Sequence, residues 1–369
     1  MQKDPVPLND LMRRTAFFQK EFLAITSAFF ESGRYVLGTG VEEFERQFAA
    51  YCGVEHCIGV GNGTDALEIA LKSTGVEPGD KVALCANAAM YGTTAVLACG
   101  ATPVFIDTLS TTATMSSEDL KERASASGPL KAILVTHLYG RLADIDVICE
   151  FAKQVGAAVV EDCAQAHGAT KSNGSRAGSF GDAASFSFYP TKNLGTYGDG
   201  GAITTRNPQL GGKAIRLRQY GWATKYNNVM SGGRNSRLDE LQARYLLAML
   251  PFLDDWNQKR RSIAARYRQE LTHMDISVPD AAGEDNVAHL CIVRSKKRDA
   301  LRQHLTAHGI QTDIHYPIPD HRQPCHLGRF DDVKLPTTER DSATVLTLPC
   351  FPELTDIEIN QVIQACNAF

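Results

Sequence analysis

The stretch SFSFYPTKNLGTYGDGGAITT, residues 185–205, places one lysine between two strand-like runs. Side chains alternate along a strand, so Ser185 and Ser187 share one face. GAITT is the second run. Between them come Lys192 and then Gly195, Gly198, Gly200 and Gly201. A solvated surface side chain is the ordinary reading of a lysine. Here it approaches the same strand end as Ser187, and the glycine loop behind it is flexible enough to wrap a flat ligand. The rest of the chain decides between these readings.

Working outward, strand and helix signals alternate. KVALC (81–85), TPVFID (102–107) and AAVVED (157–162) read as short strands, and KAILVTHLYG (131–140) as a strand running into a loop. YGTTAVLACG, ended by Gly100, and IDVICEFAKQVG, closed by Gly156, read as the helices between them. Residues 10–52 read as helix, interrupted by a loop. This alternation predicts an α/β fold: a mostly parallel sheet covered by helices on both faces. Residues 236–271 are helical, with a break near Pro251. The pattern then changes. NVAHLCIVR reads as a strand, RDALRQHLTAHG as a helix, IQTDIHYP as a strand, and LTDIEINQVIQACNAF as a closing helix. We expect a large domain over residues 1–250 and a smaller α+β domain over 251–369.

Composition narrows the function classes. A net charge of -4 over 369 residues offers no basic patch for nucleic acid and no attraction to an anionic membrane. No apolar run approaches the roughly 18 residues of a membrane span. The charged N-terminus has no signal-peptide core. The ten cysteines form no C-x-x-C pair and lie scattered through apolar runs, which reads as reduced core thiols without a bound metal. The expected location is the cytoplasm.

Two further motifs carry chemistry. In GVGNGTDALEIALKSTG (59–75), Gly61 and Gly63 precede a helix, and Asp65 with Glu68 has capping-box spacing. A glycine turn that opens a helix leaves free N–H groups suited to a phosphate, although a plain capped helix has the same signature. In VVEDCAQAHGA (159–169), a strand delivers Glu161 and Asp162 at its C-terminal end, where ligands sit in open α/β sheets. Gln165 and His167 follow within a turn. A carboxylate there serves either a cationic ligand group or the next turn. A phosphate nest, a strand-end carboxylate and a lysine on one sheet are together the parts that a pyridoxal phosphate enzyme needs. Burial would lower the lysine pKa and free its amine.

Six motifs occur in order between about residues 35 and 325: GNGTDAL, VTHLYG, EDCAQAHGA, SFYPTKNLGTYGDGGAI, GGRNSRLDELQA and IHYPIPDHRQP. With them the chain resembles the nucleotide-sugar aminotransferases of the DegT/DnrJ/EryC1/StrS family. The resemblance implies the aspartate-aminotransferase (fold type I) architecture and a homodimer with pyridoxal 5'-phosphate at the subunit interface, cycling through pyridoxamine 5'-phosphate. Lys192 would bond the cofactor and move the proton, and Asp162 would pair with its ring nitrogen. Gln165 would contact the ring hydroxyl and Tyr91 would stack on the ring. Thr64, Asp65 and Ser187 would hold the phosphate, with Asp65 giving its N–H and turning its carboxylate to cap the helix. Asn235 would reach the cofactor phosphate of the partner subunit. Asn235 and Arg237 also fit plain loop-to-helix capping.

The stretch IHYPIPDHRQP (314–324), with NAAMYGTTA, is most similar to the branch that transfers an amino group from L-glutamate to C3 of dTDP-3-keto-6-deoxyhexoses. Arg237, His315, Tyr316 and His321 are the substrate-side candidates. His315 and Tyr316 are neighbours on an expected strand, so one of them should face the site. Enzymes that aminate C4, or C3 of UDP-acetamido sugars, carry similar motifs. A sister branch that removes oxygen from sugars replaces the lysine, and regulators with the same fold are described. Lys192 and Asp162 favour transamination over both.

Overall fold

The computed structural model describes residues 5–279 and 283–369. A seven-stranded sheet forms the centre. Its strands are β1 (His56–Val60), β2 (Lys81–Cys85), β3 (Thr102–Ile106), β4 (Ala132–Thr136), β5 (Ala158–Asp162), β6 (Ala183–Ser187) and β7 (Gly201–Thr205). Their order is β1-β7-β6-β5-β4-β2-β3. The pairings from β3 to β6 are parallel, and β7 runs antiparallel to both its neighbours.

Helices α1 (Leu11–Ser32), α2 (Thr39–Cys52), α3 (Gly63–Ser73), α4 (Tyr91–Ala98), α5 (Ser117–Ser127), α6 (Ile145–Val155), α7 (Pro208–Leu217) and α8 (Glu240–Met249) surround the sheet. Strand parity assigns its faces. Val82, Leu84, Leu134 and Val160 pack with Leu67 of α3 and Val96 of α4. Their chain neighbours Ala83, Ile133, Val135 and Val159 pack with Leu120 of α5 and Ile148 of α6 on the other side. Burial on both faces is why these strands read as continuous apolar runs. Phe186 and Phe188 join Phe44 and Phe48 of α2 in an aromatic cluster, with Phe44 and Phe188 edge-on at 5.2 Å. This cluster anchors the base of the lysine loop.

The N-terminus of α2 has no local side-chain cap. The carboxylate of Glu240, first residue of α8, accepts instead from the N–H groups of Gly38, Gly40 and Val41 at 3.1, 2.7 and 3.0 Å. A Cβ on Gly40 would lie 2.6 Å from that carboxylate, so only glycine fits the approach.

Beyond α8 come α9 (Leu253–Glu270), α10 (Arg298–Ala307), α11 (Pro336–Thr344) and α12 (Asp356–Asn367). A small hairpin, β8 (Trp222–Thr224) with β9 (Asn227–Asn228), precedes α8, and β10 (Cys291–Arg294) pairs antiparallel with β11 (Val345–Leu348). Residues of α9, α10 and α12 pack around β10 and β11, and Val6 from the start of the chain joins them.

Two expected strands differ from the sequence reading. Only the last four residues of NVAHLCIVR are strand. The earlier amides of Val287 and Leu290 bond to the carbonyls of Gly140 and Tyr139 instead. IQTDIHYP forms no strand. Ile310 and Asp313 make single bridges to Val6 and Thr347, and Pro317 and Pro319 remove the amides that a longer ladder needs.

Candidate active site

A cavity of about 650 Å³ opens at the carboxyl ends of β4, β5 and β6. Thr136, Asp162 and Ser187, the last residues of those strands, line it. So do Asn62, Gly63 and Thr64 at the start of α3, and Tyr91 at the start of α4. Gln165, Lys192, His315 and Tyr316 are also in its wall.

Lys192 is half-buried on the loop between β6 and β7. The loop is tied at its base by hydrogen bonds from Phe188 N–H to Gly200 and from Thr196 N–H to Phe188, both 2.8 Å. Loss of hydration lowers the Lys192 pKa to about 8, and the Asp162 charge partly opposes that fall. Asp162 is 4 % exposed. Burial raises its pKa, against the Ala164 N–H at 3.1 Å, the Lys192 charge and the Thr136 hydroxyl at 3.5 Å.

Its neighbour Glu161 points to the opposite face. The Glu161 carboxylate accepts from the N–H groups of Gly178, Phe180 and Gly181 at 3.0, 2.8 and 2.9 Å and bonds to His137 Nε2 at 3.0 Å. Glu161 therefore fastens the loop before β6 and does not face the cavity. Cys163 and His137 lie close enough to share an ion with it, but its oxygens are already engaged by these four donors.

Gln165 is held from both sides. Its Oε1 accepts from Tyr139 N–H at 2.7 Å and its Nε2 donates to Tyr316 Oη at 3.0 Å. At the start of α3, Asn62 is the cap, and its Oδ1 accepts from Asp65 N–H at 2.8 Å. Gly63 packs directly on Ser187: a Cβ there would lie 2.6 Å from the serine Cβ. Asp65 corrects the sequence reading. No capping box forms with Glu68, the Asp65 N–H is already taken, and its carboxylate pairs with Arg234, which also binds Glu68.

On the far wall, His315 Nδ1 bonds to Thr347 Oγ1 at 2.8 Å. Both His315 and Tyr316 line the cavity, which corrects the expectation of one. The segment is not a strand, so strand alternation does not govern it. His321 does not line the cavity. It is buried against Phe105, with Nε2 3.0 Å from Glu339 Oε1. A short 3-10 turn at Asp320–Arg322 rotates it away. His167 is also absent from the wall. It packs between Phe186 and Phe188, and burial lowers its pKa to about 3. Asn235 is exposed and Arg237 half-buried, and neither lines the cavity of its own chain.

Residues 17–367 match a single family description. The chain belongs to the DegT/DnrJ/EryC1/StrS aminotransferase family. This aminotransferase is 42% identical over 365 residues to the dTDP-3-amino-3,6-dideoxy-alpha-D-galactopyranose transaminase of Aneurinibacillus thermoaerophilus, covering 99% of each chain. Among solved structures it is similar to DesV of S. venezuelae in complex with a ketimine intermediate, with TM-score 0.95 and 41% identity over 99% of this chain and 98% of that one. It is also similar to NtdA of Bacillus subtilis with bound cofactor PMP, with TM-score 0.92 and 30% identity over 99% of this chain and 85% of that one.

Several wall residues of the aminotransferase were not singled out from sequence: Asn62, Tyr189, Asp199 and His289. Asn62 had a usable signal, since asparagine just before a helical pattern is a favoured cap. Tyr189 and Asp199 lie on the lysine loop itself, and His289 is placed by long-range packing. It is held by Asn193, 2.9 Å from its Nδ1.

Proposed function

We propose that this protein transfers the amino group of L-glutamate to C3 of a dTDP-3-keto-6-deoxyhexose, using pyridoxal 5'-phosphate and giving a dTDP-3-amino-3,6-dideoxyhexose. The observation that carries the reading is the joint placement of Lys192 and Asp162 in one cavity at the strand ends. The residues also fit the cofactor. The glycine at position 63 leaves the first turn of α3 close beside Ser187, so Thr64, Ser187 and helix N–H groups converge where a phosphate would be held. The relatives' names support the substrate class.

When bound, the cofactor supplies an aldehyde for amines and a ring that draws electrons from the carbon losing its proton. The chain's own residues do the rest. Lys192, with its pKa lowered by burial to about 8, would bond the cofactor through its amine. Its Nζ would also take the proton from the donor Cα and give it up to the cofactor carbon that carries the amino nitrogen. Asp162 would pair with the ring nitrogen and keep it protonated. The remaining hydrogen on Gln165 Nε2 would be available to the ring hydroxyl, and Tyr91 would cover a ring face. His315 and Tyr316 form the sugar side.

We further assign the working form as a cytoplasmic homodimer in which Asn235, and with it Arg237, serves the neighbouring site. Support comes from its exposure and from large exposed side chains on α1 and the small hairpin, such as Phe17 and Tyr226. Among the described residues no helix is long and apolar enough to cross a membrane.

The test is the visible spectrum of the protein with added cofactor. We expect a yellow band that L-glutamate bleaches and one dTDP-3-keto-6-deoxyhexose restores. Restoration only by a 4-keto or a UDP-acetamido sugar would move the substrate assignment. No visible band would remove the reading.

A further inference from the structure

Helix α4 begins badly by local criteria. Its cap position, Met90, has φ +68° and offers no side-chain hydrogen bond. The missing partner comes from far along the chain. Asp320 Oδ1 accepts from Met90 N–H at 2.9 Å and Oδ2 from Thr93 Oγ1 at 2.6 Å. The Asp320 N–H in turn donates to Ala86 at 2.7 Å. Asp320 is 1 % exposed, and its charge sits at the electropositive end of α4. Glu240 solves the same problem for α2.

The consequence differs, because both ends of this link reach the cavity. Tyr91 is the residue after Met90. Tyr316 is on the segment that delivers Asp320. Their rings meet edge-to-face, with centroids 6.5 Å apart. Among the described residues Tyr91 makes no side-chain hydrogen bond, and its side chain is half exposed. The Tyr316 ring and the backbone of α4 hold the Tyr91 ring in place.

We propose that Asp320 is a positioning residue that locks the start of α4 to segment 315–320, so that Tyr91 and Tyr316 are set as one unit in the cavity wall. This rests on the cofactor reading for its effect on cofactor, but the lock itself can be observed without cofactor.

The experiment compares Asp320→Ala and Asp320→Asn in the full chain, each also in a Tyr91→Leu background. In Asp320→Ala we expect cofactor to bind about tenfold more weakly, the loss of a buried charge-assisted pair of bonds, and the visible circular dichroism of the bound cofactor to fall. Asp320→Asn keeps an acceptor and should restore both to within about twofold. In Tyr91→Leu the Asp320→Ala effect should vanish, because coupled residues give a non-additive cycle. Hydrogen exchange at residues 89–94 of the cofactor-free protein should speed up in Asp320→Ala. Unchanged exchange there overturns the lock. Faster exchange with unchanged cofactor binding and dichroism, or an undiminished effect in Tyr91→Leu, overturns the positioning role. Failure of the unsubstituted protein to take up cofactor would instead overturn the function reading, with the exchange result still deciding the lock.

Discussion

Gln165 Nε2 donates to Tyr316 Oη at 3.0 Å, joining the loop after β5 to a segment 151 residues later in the chain. On the proposed function this one hydrogen bond spans the cofactor side and the sugar side of the cavity. Tyr316→Phe removes the acceptor and leaves a buried amide hydrogen unpaired. Such a loss is worth about 1 kcal/mol or somewhat more, roughly tenfold in a rate. We expect turnover with the keto-sugar to fall by about that factor, with a smaller change in the glutamate half-reaction. Single-turnover measurements of the two halves would separate them, and equal losses in both would place the tyrosine on the cofactor alone.

Lys192→Ala should abolish turnover while the cofactor still binds noncovalently, as read by dialysis-resistant fluorescence. Asp162→Ala should retain the covalent attachment and slow proton removal, because an unprotonated ring is a weaker electron sink. Full turnover by either variant is the result that would sink the mechanism.

On the proposed function, covalent capture of the cofactor needs the neutral amine of Lys192. Its pKa is lowered to about 8, so the capture rate should climb as pH rises toward 8 and level off above it. Asp162 works against that lowering. Removing its charge in Asp162→Asn should therefore shift the midpoint to lower pH. Stopped-flow absorbance at a series of pH values measures both. An unchanged midpoint would mean that the carboxylate does not act on the ammonium.

Gly63→Ala forces a Cβ to within 2.6 Å of the Ser187 Cβ. Overpacking of this kind costs about 1–3 kcal/mol, and here the shift falls on the first turn of α3. We expect phosphate-containing cofactor to bind markedly more weakly while dephosphorylated pyridoxal binds nearly as before. Titration of each into the cofactor-free protein reads the difference, and equal weakening would show that the strain acts elsewhere.

Asn235→Ala and Lys192→Ala damage different subunits of one site if Asn235 crosses the interface. Mixing the two unfolded variants and refolding them together should then regenerate some intact sites, about one quarter for random pairing. Activity no greater than the sum of the separate variants would put Asn235 in its own chain's site or in none.

Legibility followed the range of the interaction. The strand ends bearing Asp162 and Ser187, the lysine loop and the glycine turn into α3 were all readable, because period-two alternation and helix punctuation are local signals. The same rules failed at residues 310–322. There Pro317 and Pro319 interrupt the ladder, Asp320 is taken up by α4, some 230 positions earlier, and His321 is buried against Glu339. Asp65 was misread for a related reason. Its spacing with Glu68 is that of a capping box, but Asn62 already holds its N–H, and Arg234 binds both carboxylates from a loop that no local pattern reveals.

Strand β5 sets Glu161 into the scaffold and Asp162 into the cavity by nothing more than parity. The two side chains carry the same charge, so the strand stores the distinction as odd or even position. A single-residue insertion or deletion upstream within β5 would exchange them, presenting the longer acid to the ligand and asking the shorter one to fasten three amides. Length changes in this strand are therefore admissible only in pairs, because every odd step carries the cavity's charge to the other side of the sheet.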